Sequence, residues 1–214
     1  MGVMKIVYCC YRDWAKEIYK ATKSTNSVLL ETNQEIHLIH SIKPDLIFFL
    51  GWSWIVPKDI VNDYICICLH PSPLPKYRGG SPLQHQILNG EKISAVTLFR
   101  MDEGIDTGDI VNQMTFSLDG DLDDIFKRIT ACGISLIRDL LFCYPAYYKR
   151  YKQTGKSTTY KRRKPEESEI TIEELKTKPA EYIYNKIRSL QNPYPNAFMV
   201  CGDGKKVYLT KGKI

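Results

Sequence analysis

The residues of this chain best suited to chemistry are one histidine and one cluster of carboxylates. His70 follows an apolar run, ICICL at residues 65–69, and opens the segment HPSPLPKYRGGSP at residues 70–82. Four prolines in that segment fix φ repeatedly, and Pro71 biases His70 toward extended backbone. The imidazole therefore stands at the end of a strand, in a stiff loop. The second feature is RMDEGIDTGD at residues 100–109, with four acids and two glycines in ten residues. A carboxylate from such a loop, set beside an imidazole, fixes its tautomer and stabilises the imidazolium. That pairing is suited to general acid–base work. The plainer alternative is a capping histidine and a solvated turn.

Other chemistries fit less well. Cys66, Cys68 and His70 alternate along one strand face, but the spacing matches no zinc pattern, so no metal is expected. The first strand-to-helix turn, residues 10–14, holds no glycine. It offers no GxGxxG cradle for a dinucleotide, and the chain has no GxxxxGK[ST]. The segment GWSWIVP at residues 51–57 follows another apolar run, and its two tryptophans suit a flat heteroaromatic ligand.

These residues need elements to hold them. Short apolar runs at residues 5–10, 27–30, 45–50, 65–69, 95–99 and 110–114 read as strands, and residues 14–21, 35–42, 81–88 and 122–148 read as helices. Alternation of the two predicts an α/β domain, a Rossmann-like and mostly parallel sheet. In open sheets of this kind ligands sit at the carboxyl ends of the strands, which is where His70 falls. The catalytic domain is expected over residues 1–148. Residues 149–214 are expected to form a basic linker and a small C-terminal α+β subdomain packed on it, with a hairpin signal around Gly202 and Gly204.

Composition bounds the rest. The chain has 214 residues, 43% hydrophobic and 25% charged, which is ordinary for a globular domain. No apolar run approaches the ~18 residues needed to span a bilayer. Seven cysteines with no CxxC pair, and no secretory signal at the first residues, predict a reducing, cytoplasmic setting. The net charge of +6 is concentrated: residues 149–164 hold eight Lys and Arg and no acid. That stretch reads as a solvated linker first, and as a phosphate- or RNA-contacting strip second.

The run HPSPLP…YRGGSP, then NGE at residues 89–91, then Thr97, Met101-Asp102 and GIDTGDI at residues 104–110, resembles the 10-formyltetrahydrofolate-dependent formyltransferases. The likeness is strong over residues 45–115 and weaker at YKRRKP (160–165) and KIRSL (186–190). It implies a folate formyl donor and an active site of an Asn-x-His pair with a later Asp. The His falls on His70 and the Asp on Asp106. The Asn position falls on Cys68, a weaker donor to an oxyanion, and losing one such donor costs ~10²–10³ in rate. Three outcomes stay open: another donor, a slow enzyme, or a non-catalytic folate-binding relative. The resemblance also implies a pterin pocket lined by Trp52, Trp54 and Ile55 on one side and Met101, Asp102, Glu103 and Gly104 on the other, with Arg78 and Gly79 near the folate. Arg12, Lys76 and Tyr77 are expected on the acceptor side.

For the acceptor, the compact chain resembles most the short sugar-nucleotide N-formyltransferases. The first expectation is therefore the primary amine of a nucleotide-linked amino sugar. Methionyl-tRNA and glycinamide ribonucleotide are the alternatives, the former disfavoured because no room remains for a ~100-residue RNA-binding barrel. Small-molecule partners, no membrane, no nucleic acid and a base-rate homodimer complete the expectation.

Overall fold

A computed structural model describes residues 4–145 and 148–214. Strands β1 (Ile6–Cys9), β2 (Ser27–Leu30), β3 (Leu46–Leu50) and β4 (Cys66–His70) lie parallel in the order β2-β1-β3-β4. A two-residue strand β5 (Arg78–Gly79) lies apart, and β6 (Ile93–Arg100) and β7 (Ile110–Ser117) complete the sheet antiparallel beyond β4. The Rossmann-like, mostly parallel α/β architecture read from the sequence is the one observed.

The strand sequences explain the layering. Every residue of β3, LIFFL, is buried, as a parallel strand covered on both faces requires. Tyr8, Phe48 and Ile67 point to one face, beneath helices α1 (Asp13–Thr22) and α5 (Leu122–Cys143). Val7, Cys9, Ile47, Phe49 and Cys66 point to the other. There they meet the short helices α2 (Ile39–Ile42) and α3 (Lys58–Asp63) through Ile39, Ile60 and Val61. Each such side chain contributes roughly 1.5–3 kcal/mol on burial. Helix α4 (Pro82–Leu88) follows the proline-rich segment.

Three sequence expectations change. The long helix expected to reach residue 148 ends at Cys143, because Tyr144 precedes Pro145 and takes an extended backbone; residues 146–147 lie outside the described ones. Residues 170–175, whose sequence by itself reads as a strand or turn, instead enter helix α6 (Ile172–Thr177), started by a Thr171/Glu174 capping box. The basic stretch is not a free tether. Tyr151 bridges to Ile110, and β8 (Thr159–Tyr160) pairs parallel with β5. This approach depends on two glycines. A β-carbon on Gly79, whose φ is +89°, would lie 2.3 Å from the Tyr160 carbonyl oxygen, and one on Gly80 would lie 2.4 Å from Arg162 Cα. The stretch thus straps down the HPSPLP loop.

Helix α7 (Ala180–Arg188) and the hairpin β9 (Ala197–Val200) and β10 (Lys206–Leu209) finish the chain. Ile170, Ile187, Leu190 and Ala197 form a small core of their own. Buried Arg188 anchors it to the main domain by donating to the carbonyls of Leu118 at 2.6 Å and Gly120 at 3.0 Å. Among the described residues, no helix is long and apolar enough to cross a membrane.

Candidate active site

His70 ends β4 and is almost fully buried. Its Nε2 lies 2.8 Å from the Tyr77 carbonyl oxygen. Its Nδ1 lies 3.5 Å from Asp106 Oδ2. Asp106 comes from the loop between β6 and β7 and holds a left-handed backbone, φ +53°. Its carboxylate accepts the Gly79 N–H at 2.7 Å. Tyr77, Ser81 and Asp106 are three of the four non-glycine residues with positive φ among those described, so backbone strain concentrates here, as it does at functional sites.

The pair faces a cleft of about 330 Å³. It lies where the strand order turns from β2-β1 to β3-β4, at the carboxyl ends of β1, β3 and β4. Arg12 and Trp14 follow β1, Gly51–Ser53 follow β3, and Cys68 and His70 belong to β4. This is the expected ligand position of an open α/β sheet. Trp14 stacks on Phe126, with centroids 6.0 Å apart. Arg12 lies over the rings of Tyr11 at 5.1 Å and Tyr194 at 5.4 Å. The strap supplies Arg162 and Arg163 to the same cleft. Arg162 Nη2 donates to the Ser53 carbonyl at 3.0 Å, spanning the opening. The indole N–H groups of Trp14 and Trp52, both residues lining the cleft, are buried without hydrogen-bond partners. Aromatic walls suit a flat heteroaromatic ring.

Of the residues singled out from the sequence, Arg12, Trp52, Cys68, His70, Gly79 and Asp106 line this cleft. Cys68 is half-buried beside Asp106. Burial first, then the neighbouring Asp106 and Cys66, push its thiol well above the ordinary value, so it stays neutral.

The other named residues are spent elsewhere. Trp54 packs outside Trp52 and Tyr11 and is 41% exposed, and Ile55 is 93% exposed. Of those three residues only Trp52 lines the cleft. Met101, partly buried, packs against the apolar cluster on the α2 and α3 face of the sheet. Asp102 accepts from Gly104 N–H and the Thr107 hydroxyl, folding its own turn around Gly104. Glu103 pairs with Lys58 and Asn62 at the surface. Lys76 is exposed away from the cleft. Tyr77 contributes its carbonyl to His70, while its hydroxyl donates to Glu91 at 2.8 Å; burial pushes that hydroxyl up to about 12. Arg78 points to Gln153.

Sequence reasoning missed Trp14, Phe126 and Tyr194 in the cleft wall and Gln153 behind it, and gave Arg162 and Arg163 only within a basic stretch read first as linker and second as a phosphate-contacting strip. Trp14 and Phe126 fall within segments read as helices, and the strap residues within one read first as linker. No local signal separates those readings, because contacts from distant segments decide them.

An open α/β sheet with a paired imidazole and carboxylate at its topological switch defines a group-transfer or hydrolytic enzyme class. Residues 13–131 match the family described as formyl transferase, and residues 164–214 match formyl transferase, C-terminal domain. The chain belongs to the formyltransferase family. It is 34% identical over 181 residues to a methionyl-tRNA formyltransferase of Rickettsia felis, covering 81% of this chain and 57% of that protein. The chain thus spans little more than half the length of such curated relatives. The structure of a methionyl-tRNA formyltransferase from Clostridium thermocellum superposes with a TM-score of 0.84 at 33% identity, over 96% of this chain and 97% of that one. A 4-N formyltransferase from Francisella tularensis shares the fold, with a TM-score of 0.77 at 20% identity over the full length of both chains. The family read from the motifs is therefore correct, but the sugar-nucleotide acceptor is not upheld. The relatives at about a third identity are methionyl-tRNA formyltransferases, and sugar enzymes share only the fold. Chain length alone does not decide the acceptor.

Proposed function

We propose that the chain transfers the formyl group of 10-formyltetrahydrofolate to the amine of methionyl-tRNA. The observation that carries this reading is the His70–Asp106 pair at the cleft, 3.5 Å apart, although one ends strand β4 and the other comes from the loop between β6 and β7. The relatives' acceptor and the arginines along one wall support an acceptor rich in phosphate.

The chemistry follows from the placement. Attack of a neutral amine on the formyl carbon puts negative charge on the formyl oxygen and positive charge on the attacking nitrogen. His70, donating from Nδ1, stabilises the oxygen. Asp106, beside Nδ1, receives the proton that the amine must lose, and the proton passes to the folate N10 as the formyl carbon–N10 bond breaks and tetrahydrofolate leaves. The cleft walls hold the two reactants against one another, which removes much of the entropic barrier. Cys68 keeps the family Asn position neutral and supplies at most a weak donor. Trp52 and Trp14 give the folate ring an aromatic wall.

The test is formyl transfer by the purified chain, with 10-formyltetrahydrofolate and methionyl-tRNA as substrates and formyl-methionyl-tRNA as the measured product. Product formed by the wild type and lost in His70→Ala and Asp106→Asn supports the reading. Consumption of donor only when a small primary amine replaces the tRNA would overturn the acceptor. The thiol at position 68 favours a second reading, folate binding without turnover, which predicts tight folate binding and no product with any amine.

A further inference from the structure

We propose that Gln153 is a positioning residue for Asp106, a role that belongs to the strap rather than to the sheet. This rests on the His70–Asp106 pair being the reacting one. Asp106 needs outside support, because a non-glycine residue at positive φ is strained. One side of it is held by the Gly79 N–H on the carboxylate. The other side is held by Gln153. Its Nε2 donates to the main-chain carbonyls of both Asp106 and Gly108, each at 2.8 Å. Its Oε1 accepts Nε and Nη2 of Arg78 at 3.1 and 2.7 Å. Arg78 adjoins Gly79, so the contacts close a ring: Gly79 to Asp106, Asp106 to Gln153, Gln153 to Arg78.

Only an amide of this length satisfies both ends. A glutamate would set a carboxylate against two carbonyls with nothing to donate. A lysine would donate but could not accept from Arg78. An asparagine is one methylene too short to span them. Gln153 sits among eight cations and no acid in residues 149–164, so a neutral amide there is not explained by the composition of the segment. It does not line the cleft and acts through Asp106 alone.

The test uses Gln153→Met, which keeps the volume, and Gln153→Glu, with Arg78→Met removing the other end of the clamp. The ring-nitrogen signals of His70 are read in protein labelled at its four histidines, assigned by His70→Ala, and compared with those of Asp106→Asn. Turnover is split into kcat and KM. The expected result is that both Gln153 variants move the His70 signals toward those of Asp106→Asn and lower kcat on the order of 10²-fold, with KM for both substrates near the wild-type value. Arg78→Met moves the same signals less. Wild-type His70 signals in the folded Gln153 variants, or a rise in KM with kcat unchanged, overturn the assignment. A wild type inactive on methionyl-tRNA defeats the acceptor proposed above, and the His70 signals still decide the role of Gln153.

Discussion

His70 presents its two ring nitrogens to two acceptors: Nε2 to the Tyr77 carbonyl at 2.8 Å and Nδ1 to Asp106 Oδ2 at 3.5 Å. A carbonyl only accepts, so Nε2 carries a hydrogen. The Tyr77 carbonyl therefore fixes the orientation of the ring, and Nδ1 is the nitrogen left facing Asp106.

Removing either partner should abolish turnover without unfolding the chain. His70→Ala and Asp106→Asn are expected to lower kcat by roughly 10²–10⁴-fold. Steady-state formyl transfer measures this, alongside thermal melting to show that the fold persists.

Cys68→Asn tests the neutral thiol at the position where the family pattern has an amide. The thiol has no charge to offer, since burial keeps it protonated. An added amide donor should raise kcat by about 10²-fold if it reaches the oxyanion. A folded but slower variant would show that Cys68 is packing and that the donor lies elsewhere.

Arg162→Ala and Arg163→Ala should raise KM for tRNA while leaving kcat nearly unchanged. If each arginine contacts one phosphate, the slope of log affinity against log salt should fall by about 1 per substitution. Unchanged salt dependence in both would show that the strap meets no phosphate.

The strap itself can be released. Gly80→Ala brings a β-carbon to 2.4 Å from Arg162 backbone, which the pairing of β5 with β8 cannot absorb. Trypsin should then cleave within residues 149–164 faster than in the wild type, and turnover should fall with it.

The C-terminal core carries a pH dependence of stability. Lys186, nearly fully buried, donates to both carboxylate oxygens of Glu174 at 2.8 Å. Burial pushes the Glu174 carboxyl up, but Lys186, the Thr171 amide and Tyr182 together pull it below its ordinary 4.5. A depressed folded value means the contribution is complete above that ordinary value and lost as pH falls through the folded one. Chemical denaturation from pH 6 to about 3 should show this loss, and Glu174→Gln should flatten it. Glu174→Ala should cost about 3 kcal/mol by stranding a buried ammonium.

The chain's own residues determined the sheet, its central strands and the two segments that supply the histidine and the carboxylate. LIFFL and CICLH are strand-length apolar runs whatever surrounds them, and the proline-held His70 and the acidic loop are each written in consecutive residues. Tertiary structure alone decided which carboxylate and which tryptophan face the cleft. Asp102 and Glu103 are as acidic as Asp106, and Trp54 as aromatic as Trp52, but turn hydrogen bonds, a lysine and solvent claim the others. It also decided the strap. Residues 149–164 have linker composition, and only two glycines some eighty positions upstream let them lie against the loop and deliver Gln153, Arg162 and Arg163. Contacts that distant leave no periodicity in the segment that makes them.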